Sequence, residues 1–170
     1  PLADTDGSLC EIEYAFDTLQ ADGVTMNSSA GRMWPGDPAQ MPIFEELNRR
    51  KTTVFLHPNT TPFCCMNPPG VPNNVAEFDN DVLRAVLSLL WNGVLTNYPD
   101  INFIVAHTGG TVPALAGRIR HSACTSNVPT TIAPPIIVFA SGCSLITSQT
   151  HSGPNTVSSK DSIAASGAGI

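Results

Sequence analysis

No stretch of this 170-residue chain approaches the roughly 18 consecutive apolar residues of a membrane-spanning helix. The N-terminus also lacks the basic-then-apolar order of a secretion signal. Basic residues are scarce, eight Lys and Arg against fourteen Asp and Glu, and the resulting net charge of −6 argues against nucleic acid or an anionic membrane as a partner. The five cysteines are odd in number and show no Cys-x-x-Cys spacing, so neither a disulfide framework nor a zinc knuckle is indicated and reduced thiols are expected. There is no internal repeat and no initiator methionine; the chain begins at Pro1, as processing or truncation would leave it. These absences lead to the expectation of a cytoplasmic globular protein, and 42% hydrophobic content is enough for one core of ordinary size.

Charge itself runs out partway along the chain. Residues 1–120 hold thirteen acidic and seven basic side chains, whereas 121–170 hold only Lys160 and Asp161, and sixteen of those last fifty residues are Ser or Thr. Such a segment has little patterned apolar surface to offset the entropy of ordering it. The expected organisation is therefore a folded unit over 1–120 and a low-complexity, mostly irregular tail over 121–170. Within the tail, Ile136-Ile137-Val138-Phe139-Ala140 is the exception, readable as one more strand or as an aggregation-prone edge.

Before that boundary, helical and strand patterns alternate. Leu9, Ile12, Phe16 and Leu19 fall at helical spacing, and their helix should end near Gly23, ahead of a short strand at Val24-Thr25-Met26. Asp37-Pro38-Ala39-Gln40 reads as a helix start, with Asp37 capping, Pro38 at the first position and Gln40 reaching back as in a capping box. Ile43, Phe44 and Leu47 supply that helix's buried stripe, and Arg49, Arg50 and Lys51 set positive charge at the negative end of its dipole. The run Thr52-Thr53-Val54-Phe55-Leu56-His57-Pro58 follows as a strand. A Pro/Asn/Cys-rich loop then leads to a helix with Val82, Val86, Leu89 and Leu90 inward. A second buried run, Ile101-Asn102-Phe103-Ile104-Val105-Ala106, ends in His107-Thr108-Gly109-Gly110, and Thr111 is placed to cap a last helix through Leu115 and Ile119. Alternation of this length implies parallel βαβ units, an α/β fold.

The chemistry-bearing residues each have two readings. His57 and His107 close their strands at the carboxyl end, where α/β proteins gather functional groups; a single histidine there is as readily a hydrogen-bonded structural residue, but two in register point to a metal or proton-transfer site. His121 and His151 lie in the tail and read as solvated bystanders. Gly109-Gly110 is either a tight turn or an opening for substrate near a helix N-terminus. Cys64-Cys65 reads as loop packing rather than a nucleophile. Arg84 reads as a helix-surface residue, with a carboxylate grip as the other reading, and Trp34 either lines the mouth of the site or belongs to the core.

Several blocks together carry a resemblance. Gly36-Asp37-Pro38-Ala39, then Pro42-Ile43-Phe44-Glu45-Glu46-Leu47-Asn48-Arg49-Arg50-Lys51, then Val54-Phe55-Leu56-His57-Pro58, then Pro99-Asp100-Ile101-Asn102-Phe103-Ile104 with His107-Thr108-Gly109-Gly110 resemble the amidohydrolase-related metal-dependent decarboxylases. Within that family the similarity is greatest to the fungal 6-methylsalicylate decarboxylases, grouped with the aminocarboxymuconate-semialdehyde decarboxylase-like enzymes. It spans about residues 5–120 and stops after Arg118-Ile119. The resemblance implies a partial (β/α)8 TIM barrel, made of middle strands and helices, with a divalent metal, usually zinc. The implied reaction is non-oxidative loss of carbon dioxide from a small aromatic carboxylic acid.

Carried over by position, His57 becomes a metal ligand on the fifth barrel strand and His107 the catalytic histidine after the sixth. The family's other ligands, a His-x-His or Glu-x-His pair on the first strand and an aspartate on the eighth, have no counterpart, since neither pair occurs and Asp161 sits in an unrelated Ser-Ser-Lys-Asp-Ser setting. A frameshift or read-through intron would account for the tail, and the isolated chain is expected to be poorly active. Two other readings stand beside this one: a metal-dependent hydrolase of the same superfamily, and a non-catalytic fragment or interaction module whose open half-barrel favours homo-oligomers.

Overall fold

The three apolar runs that end near Asn27, His57 and Ala106 lie side by side, all pointing the same way. A computed structural model of the chain describes residues 2–59, 67–126 and 128, together with the backbone of 137–140 and 144–147. Strands β1 (Gly23–Asn27), β2 (Thr53–His57) and β3 (Asn102–Val105) pair in parallel, with Val24 opposite Val54, Met26 opposite Leu56, Val54 opposite Phe103 and Leu56 opposite Val105. Side chains alternate across a strand, so this register gathers Met26, Val54, Leu56, Phe103 and Val105 on one face, where none is more than 3% exposed.

Helices α1 (Thr5–Glu13), α2 (Met41–Arg49) and α3 (Asn73–Trp91) cover that face with Ile12, Ile43, Phe44, Leu47, Val82, Ala85 and Leu89. The opposite face is different. Thr25 and Asn27 are exposed there, and Phe55, His57 and Ile104 are only half-buried. Continuous apolar runs suggest burial on both sides, but the described residues cover one.

The helix ends explain how the strands are delivered. Asp37 caps as expected, its carboxylate accepting from Ala39 N at 3.0 Å, and Pro38 opens a 3-10 turn (Pro38–Gln40) that runs into α2. Gln40 makes no capping box: its Nε2 donates to the Leu2 carbonyl at 3.3 Å, because burial turns its side chain toward the N-terminal segment. At the other end Lys51 takes φ +52°, Lys51 N donates to Asn48 O at 2.9 Å and Thr52 N to Leu47 O at 3.1 Å. This pair of bonds stops α2 and releases the chain directly into β2.

Some expectations are corrected. The first helix does not continue regularly to Gly23: a π-helical turn (Tyr14–Thr18) follows α1, and the added residue per turn rotates Leu19 out of the stripe to 61% exposure. Thr111 occupies the cap position of α5 (Val112–Thr125), but its hydroxyl makes no capping bond and is buried without a partner among the described residues. A short α4 (Val94–Asn97) intervenes between α3 and β3, after Gly93 at φ +75°. Within 121–170 the structure describes two short strands, β4 (Ile137–Ala140) and β5 (Ser144–Thr147), which leave the expectation of a mostly irregular segment untested. β4 adds in parallel to β3, with Ile104 opposite Ile137, as the strand reading of that run has it. β5 then pairs antiparallel with β4, so the alternating βα pattern gives way to a hairpin, and the sheet order is β1-β2-β3-β4-β5. A three-residue link is too short for the crossover that a further parallel strand would need. Among the described residues no helix is long and apolar enough to cross a membrane.

Candidate functional site

His57 is the last residue of β2, and strand alternation sets it on the same face as Phe55, whose ring centroid lies 5.9 Å away. Its Nδ1 is 2.8 Å from the carbonyl oxygen of Pro58. A carbonyl only accepts, so this bond requires the proton on Nδ1 and leaves the lone pair on Nε2. His107 comes two residues after β3 and opens a 3-10 turn (His107–Gly109). Both His107 (φ +53°) and Thr108 (φ +54°) are left-handed, a conformation unfavourable for residues with a Cβ. Three hydrogen bonds hold it: Ala106 N to Leu56 O at 3.0 Å, Gly109 N to Ala106 O at 3.1 Å and Gly110 N to His107 O at 2.7 Å.

This turn throws the His107 ring back over the sheet end, 5.6 Å from the His57 ring centroid at an interplanar angle of 60°. The two histidines singled out in the sequence thus meet at the carboxyl ends of adjacent parallel strands. Helix α3 supplies the wall. Phe78 presents its ring edge-on to His107 at 5.7 Å, and Asp79 Oδ1 is 3.9 Å from His107 Nδ1. At that distance, with the Asp79 side chain 46% exposed, the pair orients His107 weakly and adds little stability.

Around Asn59, two residues after His57, lies a polar cluster that sequence reasoning missed. Asp81 of α3 is 1% exposed and Ser28, just after β1, is fully buried. Ser28 Oγ donates to Asp81 Oδ2 in a short hydrogen bond, and Asn59 N donates to Asp81 Oδ2 at 3.1 Å and to Ser28 Oγ at 3.1 Å. Asn59 Nδ2 donates to Ser29 O at 3.0 Å, and Ser28 N to His57 O at 2.8 Å. One signal was available: Asp81 falls inside the inward stripe of Val82, Ala85 and Leu89, and a carboxylate at such a position must find donors.

The remaining candidates disperse. Gly110 (φ +56°) is a packing glycine, since a Cβ there would lie 2.4 Å from the Asp79 carbonyl oxygen. Arg84 Nη1 donates to Glu77 Oε2 at 3.0 Å along α3. Trp34 is half-buried in the turn closed by Asp37 N to Trp34 O. His121 is exposed but helical, within α5. Cys64, Cys65 and His151 lie outside the described residues. A cavity of about 280 Å³ between α1, β1 and α2, lined by Leu2, Ile12, Ala15, Met26, Ile43 and Leu47 among others, includes neither histidine. Among the described residues no group of three or more His, Cys, Asp or Glu side chains converges as a metal site. His57 fits as one ligand, with Nε2 as its donor atom, but three protein ligands are the norm for a catalytic zinc and the described residues do not complete such a set.

The comparisons with known proteins agree with one another. Residues 1–133 match the family model described as Amidohydrolase. A decarboxylase of Penicillium terrestre is 39% identical over 114 residues, which cover 64% of this chain and 34% of that protein. The 6-methylsalicylic acid decarboxylase of Penicillium expansum is 38% identical over 119 residues, covering 69% of this chain and 37% of the relative. The chain therefore spans about a third of the length of these curated relatives. Among solved structures, 5-carboxyvanillate decarboxylase from Novosphingobium aromaticivorans, complexed with manganese and 4-hydroxy-3-methoxy-5-nitrobenzoic acid, superposes with a TM-score of 0.66 at 22% identity. That match covers 79% of this chain and 40% of the other.

Proposed function

Because the chain belongs to the amidohydrolase family, we propose that it forms part of a (β/α)8 barrel that decarboxylates a small aromatic carboxylic acid of the 6-methylsalicylate type without an oxidant. The observation that carries this reading is the meeting of His57 and His107, ring centroids 5.6 Å apart, at the ends of two parallel strands. The names of the Penicillium relatives give the reaction class, and the aromatic acid in one of them gives the substrate class. The division into a barrel segment over 1–120 and a separate segment over 121–170 rests on the charge change alone, and the family match itself runs on to residue 133.

In this reading His57 is a metal ligand and His107 delivers the proton. A divalent metal, with zinc as the ion to try first and manganese the one bound in the Novosphingobium enzyme, would be held in part by His57 and would supply Lewis-acid charge to the substrate. The chain's own part is proton delivery. His107, at the open side of the site with its side chain 34% exposed, gives a proton to the ring carbon that bears the carboxylate. The bond from that carbon to the carboxylate then breaks, its electron pair stays with the ring and restores aromaticity, and carbon dioxide departs. Phe78 and Phe55 provide an apolar wall that disfavours the charged carboxylate relative to neutral carbon dioxide. Solvent can restore the proton to His107 between turnovers.

A chimera tests this directly. Residues 5–120 of this chain replace the matching segment of the Penicillium expansum decarboxylase, and carbon dioxide release from 6-methylsalicylate is measured with zinc or manganese. The chimera should turn over, and His107→Ala should slow it by about 10²- to 10⁴-fold. A folded, metal-loaded chimera that releases no carbon dioxide but opens a lactone or amide would replace the decarboxylase reading with the hydrolase one.

A further inference from the structure

The Pro58–Asn59 peptide group is bonded at both ends. Its carbonyl accepts from His57 Nδ1 at 2.8 Å, and its N–H donates to Asp81 Oδ2 at 3.1 Å. We propose that Asp81 is a positioning residue for His57, acting through this single peptide plane to hold the imidazole in its Nδ1–H form with Nε2 free to serve as a donor atom toward the sheet end. The proposal rests on the reading of His57 as a ligand for its purpose, but its geometry stands without that reading.

The physical reasons lie in the cluster itself. A carboxylate accepting from a peptide N–H draws electron density toward the carbonyl oxygen of the same group, which makes that oxygen a better acceptor. The plane is also fixed in orientation. Ser28 N donates to His57 O at 2.8 Å, Ser28 Oγ accepts from Asn59 N at 3.1 Å, and Asn59 Nδ2 donates to Ser29 O at 3.0 Å, so residues 57 to 59 are tied to the end of β1 at three points. Asp81 brings the third element, α3, to the same place, and at 1% exposure its carboxylate has protein donors where water would otherwise compete. The neutral histidine side chain in water favours the proton on Nε2, so an environment that reverses this preference must supply a strong acceptor at Nδ1. A carboxylate bonded directly to a ligating histidine is the familiar arrangement; here one peptide group stands between them.

The test is the tautomer of His57, read from two-bond ¹H–¹⁵N correlations of the imidazole in the intact 170-residue chain at a pH of about 8.5, above the ordinary imidazole range. The wild type should show the Nδ1–H form. Asp81→Asn should lower the ratio of Nδ1–H to Nε2–H by about threefold, the loss of cooperative strengthening across one peptide. Ser28→Ala, which leaves the carboxylate and the Asn59 N–H in place, should keep the wild-type ratio. An Nε2–H form in the wild type overturns the proposal, as does an unchanged ratio in a folded Asp81→Asn chain. If Asp81→Asn fails to fold, Asp81→Ser is read in the same way, a lowered ratio supporting the proposal and an unchanged one overturning it, and loss of the Nδ1–H form in Ser28→Ala overturns it by shifting the role to the hydroxyl. Because no turnover is read, an inactive chimera and a wrong tautomer remain separate results.

Discussion

At Gly110 a side chain has nowhere to go. A Cβ would sit 2.4 Å from the backbone oxygen of Asp79, and φ is +56°. Gly31 has a similar φ, +60°, but open space around it. Gly110→Ala should therefore cost about 2–4 kcal/mol in urea unfolding, against about 1–2 kcal/mol for Gly31→Ala, where only the left-handed conformation is penalised. Equal losses would mean that α3 can retreat from the turn without penalty. The same contact explains why Asp79 and Phe78 stand so close to His107: the absent side chain lets α3 approach the turn. Sequence pattern made the glycine pair visible as a turn, but the identity of its neighbour across the fold was not in it.

At the scale of the element, α2 is attached through charge. Glu46 accepts from Arg49 Nε at 2.7 Å, Arg49 Nη2 at 2.6 Å and Arg50 Nε at 2.6 Å, while Arg50 also grips Asp17 at 2.6 and 2.9 Å and lies over the Phe16 ring. The hydrogen bond from Arg49, opposed by partial burial and reinforced by Arg50, pulls the Glu46 carboxyl from 4.5 down to about 2. A carboxylate whose folded pKa is depressed contributes stability that is present above its unfolded pKa and is lost as pH falls toward its folded value. Glu46→Gln should thus destabilise the chain near neutral pH, and the difference from wild type should shrink as pH drops from about 4.5 to about 2. Denaturation midpoints measured across that range check it; a constant difference would place the Glu46 contribution in packing instead. The sequence reading put Arg49 and Arg50 at the helix end for the dipole, but the partners that matter most come from Glu46 one turn back and from Asp17 in the π-helical turn.

At the scale of the whole molecule, one sheet face is packed and the other is not among the described residues. Met26, Leu56 and Val105 lie under helices, while Thr25, Asn27, Phe55 and Ile104 on the reverse remain exposed or half-buried among the described residues. In addition, β1 ends the sheet at one edge with no further strand beside it among the described residues. A parallel sheet with a bare face and a free edge is a template for association. The chain is expected to show a weight-average mass in light scattering that rises with protein concentration, and substituting Lys at Thr25, on the edge strand, should lower it. A monomer mass that stays constant over about a hundredfold range of concentration would contradict this.

Local residue chemistry was enough to determine which segments become β1, β2 and β3, where Asp37 starts a helix, and that His57 and His107 sit at strand ends, because periodicity and capping act over a few neighbouring positions. The tertiary structure decided what depends on distant pairs. Ser28, Asn59 and Asp81 are separated by 22 to 53 positions and become one hydrogen-bonded cluster only when α3 crosses the ends of β1 and β2. Which face of β2 is covered, which way the His107 turn throws its ring, and how the π-helical turn rotates Leu19 outward are likewise settled by packing, since a chain pattern specifies faces and periods but not the surfaces they meet.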